Sequence, residues 1–200
     1  MNNRNLNKLR DEVHANAVAK GFWDEQLSYE YCIMLVITEL SEAVEADRKG
    51  RRAKSEEFKA TIHKLKQSGA GLPEQWYEHL FSVGFVEYIK DSVEDELADA
   101  FIRLLDLAGA RGIDVSNVTK ESESDHSWKD MALLRDITFT RAMFIITWKV
   151  TDQSRIFYVI TESLCCLISY CKFSNIDLFW HVEQKMKYNQ SRERLHGKKY

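Results

Sequence analysis

Two short acidic motifs carry the chemistry this sequence offers. Glu39-Leu40-Ser41-Glu42 and Glu96-Leu97-Ala98-Asp99 each hold two carboxylates at i and i+3. On a helix that spacing puts both on one side, one turn apart. A single such pair describes an ordinary solvated face. Here both pairs keep the same phase, the first acid being followed directly by a leucine that belongs to the apolar stripe, Leu40 or Leu97. Cys32, Leu35 and Ala46 share the side that carries Glu39 and Glu42, and Leu107 shares the side that carries Glu96 and Asp99. If the two helices pack together, four carboxylates converge, and converged carboxylates do not stay ionised without a cation. An all-oxygen ligand set suits Mg²⁺, with Mn²⁺ as a substitute, and such ions commonly bridge carboxylates to substrate phosphates.

Phosphates need further positive charge, and the C-terminal run supplies it: Lys185, Lys187, Arg192, Arg194, Lys198 and Lys199, with Tyr188 and Asn189 among them. The expected chemistry is cleavage of a phosphoester or phosphoanhydride by water activated at a metal. No GxxxxGK[ST] loop, GxGxxG turn or HExxH helix occurs, and the six histidines are scattered.

Helices must position these groups. The chain has one proline and eight glycines in 200 residues, too little turn punctuation for many strands, and its apolar residues recur with a period near 3.6. The expectation is an all-α fold. Helices are expected at about Leu6 to Ala19, Ser28 to Lys49 (core stripe Ile33, Val36, Ile37, Leu40, Val44), Glu74 to Phe85, Asp91 to Ala110, Asp130 to Val150, Ser154 to Lys172 and Asp177 to Arg194. Residues 51–73 read as a short surface helix and a loop, and residues 116–127 as an exposed connection. Shifting Glu96–Val115 onto Val159–Leu178 aligns Asp99 with Glu162 and Leu104 with Leu167. Either a degenerate second helical module or chance agreement between amphipathic helices explains that match.

Composition narrows the classes. Hydrophobic residues make up 44% of the chain and charged ones 30%, enough for a substantial core in one domain spanning 1–200, with a metal module at 13–113 and further helices at 125–200. The net charge of -3 gives no footprint for nucleic acid, so no stable nucleic-acid partner is expected. Cys32, Cys165, Cys166 and Cys171 lie in apolar runs without a CxxC pair, as reduced thiols do. With a polar N-terminus and no uninterrupted apolar run long enough to cross a bilayer, the expected location is the cytoplasm, away from membranes.

In combination these motifs resemble the MazG-like, all-α NTP pyrophosphohydrolase superfamily, which includes the dimeric dUTPases and dCTP pyrophosphatases. The resemblance rests on the ExxE and ExxD pairs, on Lys20-Gly21-Phe22-Trp23, on the segment from Glu94 to Ala108, and on Lys185-Met-Lys-Tyr-Asn189 through Arg192 to Tyr200. It covers roughly residues 13–113 and 176–200. It implies that Glu39, Glu42, Glu96 and Asp99 hold Mg²⁺, that Lys185, Asn189 and Arg192 lie near the nucleotide, and that the bundle assembles as a homodimer or homotetramer. Two segments, near 51–90 and 125–173, separate the motifs more widely than is usual in that family.

The expected reaction converts a (d)NTP to a (d)NMP and pyrophosphate, with Glu39 as a ligand and candidate base. Lys185, Tyr188, Asn189, Arg192 and Lys198 are expected around the substrate, and Trp23 or Phe22 against the base. Two other readings fit the same residues: a non-catalytic nucleotide or metal sensor, and a helical interaction module with acids merely at its surface.

Overall fold

The computed structural model describes residues 5–68, 73–119, 139–151 and 156–197, and these contain eight α-helices and no strand. They are α1 (Leu6–Ala19), α2 (Tyr29–Arg48), α3 (Ser55–Ser68), α4 (Glu74–Tyr88), α5 (Val93–Ala110), α6 (Phe139–Thr151), α7 (Ile156–Phe173) and α8 (Leu178–Ser191). The expected all-α fold is present. Expected helix residues 130–138 fall outside the described residues, and so does Lys198.

Helix α5 is central, with α1, α2, α7 and α8 all packed on it. Its start is set locally. The Ser92 side chain accepts a hydrogen bond from the Asp95 amide, while the Asp95 carboxylate accepts one from the Asp91 amide. Glu94, Asp95 and Glu96 fill the first turn, where the helix dipole favours negative charge. The remainder of α5 is apolar on nearly every side, with Leu97, Ala98, Ala100, Phe101, Leu104 and Leu105 wholly buried. At its far end Gly109 allows α1 to approach closely, because a Cβ there would lie 2.6 Å from the His14 Cβ.

Helix α2 packs along α5, and its buried positions are Tyr29, Cys32, Ile33, Val36, Glu39, Leu40, Ala43 and Ala46. The expected stripe is thus turned slightly. Ile37 and Val44 are only half-buried at its edge, and Glu39 lies inside it. Helices α6 and α7 pack together, α6 also on α2 and α7 also on α5. By length and composition α7 is apolar enough to cross a bilayer, a property the uninterrupted apolar runs do not reveal, and over half of it is buried in the fold. The expected exposed connection after residue 115 begins inside the core instead, since Val118 is buried and its carbonyl accepts from Cys165 Sγ.

The segment between the two motifs folds as an α3–α4 pair whose ends meet. The Lys54 amide donates to the Tyr88 carbonyl, and the Val93 amide to that of Arg51. Glu94 fastens this junction by accepting from Arg52 Nε (2.8 Å) and from the Ala53 amide (2.9 Å). The pair has its own cluster, Phe58, Phe81, Phe85 and Ile89, against which Trp180 and Tyr188 of α8 pack. The α2 and α5 motifs therefore adjoin although this segment lies between them in the chain.

His181 on α8 is 4% exposed, and its Nδ1 has no hydrogen-bond partner. Burial pushes its pKa down from the usual 6.5 to about 4. The neutral ring is favoured in the fold, so its contribution is fully present above about 6.5 and is lost as pH falls toward about 4. Urea denaturation should show stability declining across that window, and the His181→Gln variant should decline less over the same range.

Candidate metal centre and adjoining cleft

Glu39, Glu96 and Asp99 each offer a carboxylate oxygen within 4.8 Å of the others. Glu39 comes from the core stripe of α2, Glu96 from the first turn of α5, and Asp99 from the next turn. Glu39 is 4% and Glu96 5% exposed, so these are buried acids and not a solvated face. Glu42, one turn beyond Glu39, is exposed and stands outside the trio, close enough only to raise the Glu39 pKa slightly. A second grouping, Asp91, Asp95 and Glu96, adjoins the first.

Two cations reach into this acidic core. Lys185, 5% exposed, places Nζ 2.9 Å from both Asp95 oxygens and 2.7 Å from Asp99 Oδ2. Arg103 Nε donates to Glu39 Oε1 at 2.5 Å. Burial works against both cations, yet Asp99 and Asp95 hold the Lys185 ammonium in its charged form, and Glu39 and Asp99 do the same for Arg103. Four carboxylates (Glu39, Asp95, Glu96 and Asp99) therefore face two cations, which leaves negative charge in excess. The excess appears in the pKa values. Burial, then Asp95 and Asp99, push Glu96 up to about 9, and burial, then Asp99, push Glu39 upward against Arg103. Burial lifts Asp95 to about 6 in spite of Lys185. Full ionisation of this cluster at neutral pH calls for further positive charge. The oxygen-only donor set, at this spacing, fits a hard divalent ion.

A cleft of about 620 Å³ opens beside the cluster. Its floor follows one side of α5 through Asp99, Ile102, Arg103 and Asp106, and one side of α2 through Thr38, Leu35 and Cys32. Its walls are the end of α1, the Gly21–Phe22 turn and the chain after α8. That turn and that chain hold each other. Lys20 Nζ donates to the carbonyls of Gln190 and Arg192, the Leu195 amide donates to the Lys20 carbonyl, and Arg194 pairs with Asp24. Gly21, at φ +82, leaves room for the Arg194 side chain, whose Nε would be 2.7 Å from a Cβ at that position. Leu195, His196 and Gly197 turn through left-handed backbone, so the chain folds back over the cleft.

The other expected substrate residues divide between two sides. Asn189 and Arg192 line the cleft. Asn189 is buried, and its Oδ1 has no hydrogen-bond partner. Arg192 is steered by the His196 carbonyl, to which Nη2 donates at 2.8 Å. Tyr188 turns away and stacks on Phe85 of α4, with ring centroids 4.5 Å apart. Trp23 is not in the cleft lining. It packs edge-on to His14 and donates its indole N–H to Asp106, while Phe22 lines the cleft and meets His196 edge-on at 5.0 Å. Reasoning from sequence missed Asp95, Arg103 and Asp106. Their signal was present: Arg103 and Asp106 fall four and seven residues after Asp99, on its side of the same helix.

No family model matches the chain, and no match is found among curated proteins or among solved structures.

Removing one partner of a buried ion pair leaves the other charge uncompensated, at about 3–5 kcal/mol. Lys185→Ala should lower unfolding stability on that order in urea denaturation. Adding Asp95→Asn should restore part of the loss, and a strictly additive double variant would deny that Lys185 balances these acids.

Proposed function

We propose that this chain is a divalent-metal-dependent nucleoside triphosphate pyrophosphohydrolase. The observation that carries the proposal is the convergence of Glu39, Glu96 and Asp99, buried and in charge excess, beside an open cleft. A cation would favour the ionised form of Glu96, which burial and then the charges of Asp95 and Asp99 oppose, pushing its pKa up to about 9. The cleft has the size of a small-molecule site and mixes apolar walls (Val13, Leu27, Leu35, Leu107) with Arg103, Arg192 and Arg194. Burial of the acids speaks against a module in which they are only surface charge. The sequence resemblance to the MazG-like enzymes points to the same chemistry.

In this proposal Glu39, Glu96 and Asp99 hold Mg²⁺, with Mn²⁺ as a substitute. The ion supplies charge neutralisation at phosphate oxygens and acidifies water. Glu39, its pKa raised by burial, takes the proton of the attacking water. The new bond joins that water oxygen to the α-phosphorus, the bond to the bridging α–β oxygen breaks, and pyrophosphate leaves. Lys185 fixes Asp95 and Asp99, and Arg103 fixes Glu39, so these two act by positioning. The arginines around the cleft offset the charge of the leaving group. Asn189, with its unpartnered Oδ1, offers an acceptor to a sugar hydroxyl.

Incubation of the full chain with Mg²⁺ and a panel of NTPs and dNTPs should release pyrophosphate and a monophosphate. Replacing Glu39 or Asp99 by alanine should lower kcat/KM at least about a hundred-fold, the scale of a lost electrostatic catalytic group, with helicity retained. Release of orthophosphate, or nucleotide binding without turnover, would refute the proposal.

A further inference from the structure

Beyond the metal site, the cleft runs along α5 to a second polar group. Asp106 lies seven residues after Asp99, two turns along the same side of the helix and about 10 Å away by helix rise. That is comparable to the reach of a nucleoside from its α-phosphorus to the far edge of its base. The lining there mixes apolar side chains, Ile102 and Leu107 from α5, Leu35 and Cys32 from α2 and Val13 from α1, with Arg103 of α5.

At its far end Asp106 is held in a fixed orientation. His14 Nδ1 is 2.7 Å from its Oδ1, and the Trp23 indole donates to Oδ1 at 2.9 Å and, less closely, to Oδ2 at 3.1 Å. An indole N–H can only donate, so Asp106 accepts there. Oδ1 takes both short contacts. Oδ2 takes only the longer one and keeps capacity for another donor. A half-buried, oriented acceptor lining the cleft selects a ligand that brings that donor.

We propose that Asp106 reads the base of the nucleotide by accepting a hydrogen bond from an exocyclic amino group, so that the chain prefers cytosine, adenine or guanine nucleotides over those of uracil and thymine. The inference rests on the function proposed above and names the substrate class of that site. Cytosine and adenine bring an amino group at the base edge, and guanine brings an amino group beside a ring N–H. Uracil and thymine present a single N–H flanked by two carbonyl oxygens, and those oxygens oppose a carboxylate. The Trp23 indole and His14 then act as positioning residues, setting the angle at which Oδ2 faces the cleft.

The test is binding of deoxynucleoside monophosphates to the full chain, measured by calorimetry with Mg²⁺ present and absent, alongside turnover of the matching triphosphates. Wild type should bind dCMP, dAMP or dGMP about 10- to 100-fold more tightly than dUMP and dTMP, the range of one charge-assisted hydrogen bond. Asp106→Asn keeps an acceptor for Trp23 and gains a donor toward a base carbonyl, so the preference should vanish or reverse. A merely structural role for Asp106 would weaken all bases equally and leave their order unchanged. Equal affinities in wild type, or the same order in Asp106→Asn, would overturn this inference while leaving a measured pyrophosphohydrolase activity standing. Absence of any nucleotide binding would overturn both.

Discussion

An excess of buried negative charge governs this molecule. Four carboxylates meet where α2 crosses the first turns of α5, and a low-dielectric interior makes their repulsion costly. The fold offsets it from three directions. The N-terminal end of α5 contributes its dipole, and the Asp91 amide before it donates to the Asp95 carboxylate. Arg103 reaches back from the third turn of α5 to Glu39. Lys185 arrives from α8 to bridge Asp95 and Asp99. This last contact ties the end of the chain to its centre, so docking of α8 and charge balance at the site are one interaction. The compensation remains incomplete, and burial together with Asp95 and Asp99 keeps Glu96 up at a pKa of about 9.

The remaining elements shield that arrangement. Glu94, beside the site but not in it, fastens the two ends of the α3–α4 pair through Arg52 and Ala53. That pair thereby extends from the bundle without parting α2 from α5. Helices α6 and α7 cover the other side of those two helices with apolar surface. In the alignment of α5 with α7, Val159 stands at the position of Glu96 while Glu162 stands at that of Asp99, so α7 keeps one acid of the pair. On the open side, the Lys20–Gly21 turn and the backbone after Ser191 are hydrogen-bonded to each other and form one wall of the cleft.

Helical periodicity made much of this readable in advance. The bounds of α1 and the N-cap at Asp177 follow from local rules, and the structure has them, whereas of the four acids expected to converge Glu42 stays exposed outside the trio. A period reports which side of a helix is apolar but not which helix covers it. Tyr188 and Asn189 are adjacent in one basic run, yet the α3–α4 pair draws Tyr188 to its aromatic cluster while Asn189 faces the cleft. Trp23 and Phe22 separate in the same way, because Asp106 supplies an acceptor that only the indole can use. Lys185 was expected beside substrate, whereas in the fold its ammonium is buried between Asp95 and Asp99. Asp95 looks like one more first-turn acid until the capping geometry turns it inward.

The claim on which the function depends is that Glu39, Glu96 and Asp99 bind a divalent ion. Titration of the full chain with Mn²⁺ at slightly alkaline pH, followed by loss of the free-ion electron paramagnetic resonance signal, measures this without any assumption about substrate. Saturable binding that weakens at least about ten-fold in Glu96→Gln is expected, as for loss of a ligand or its support. A free-ion signal unaffected by the protein, or equal binding when Glu96→Gln and Asp99→Asn are combined, would contradict it.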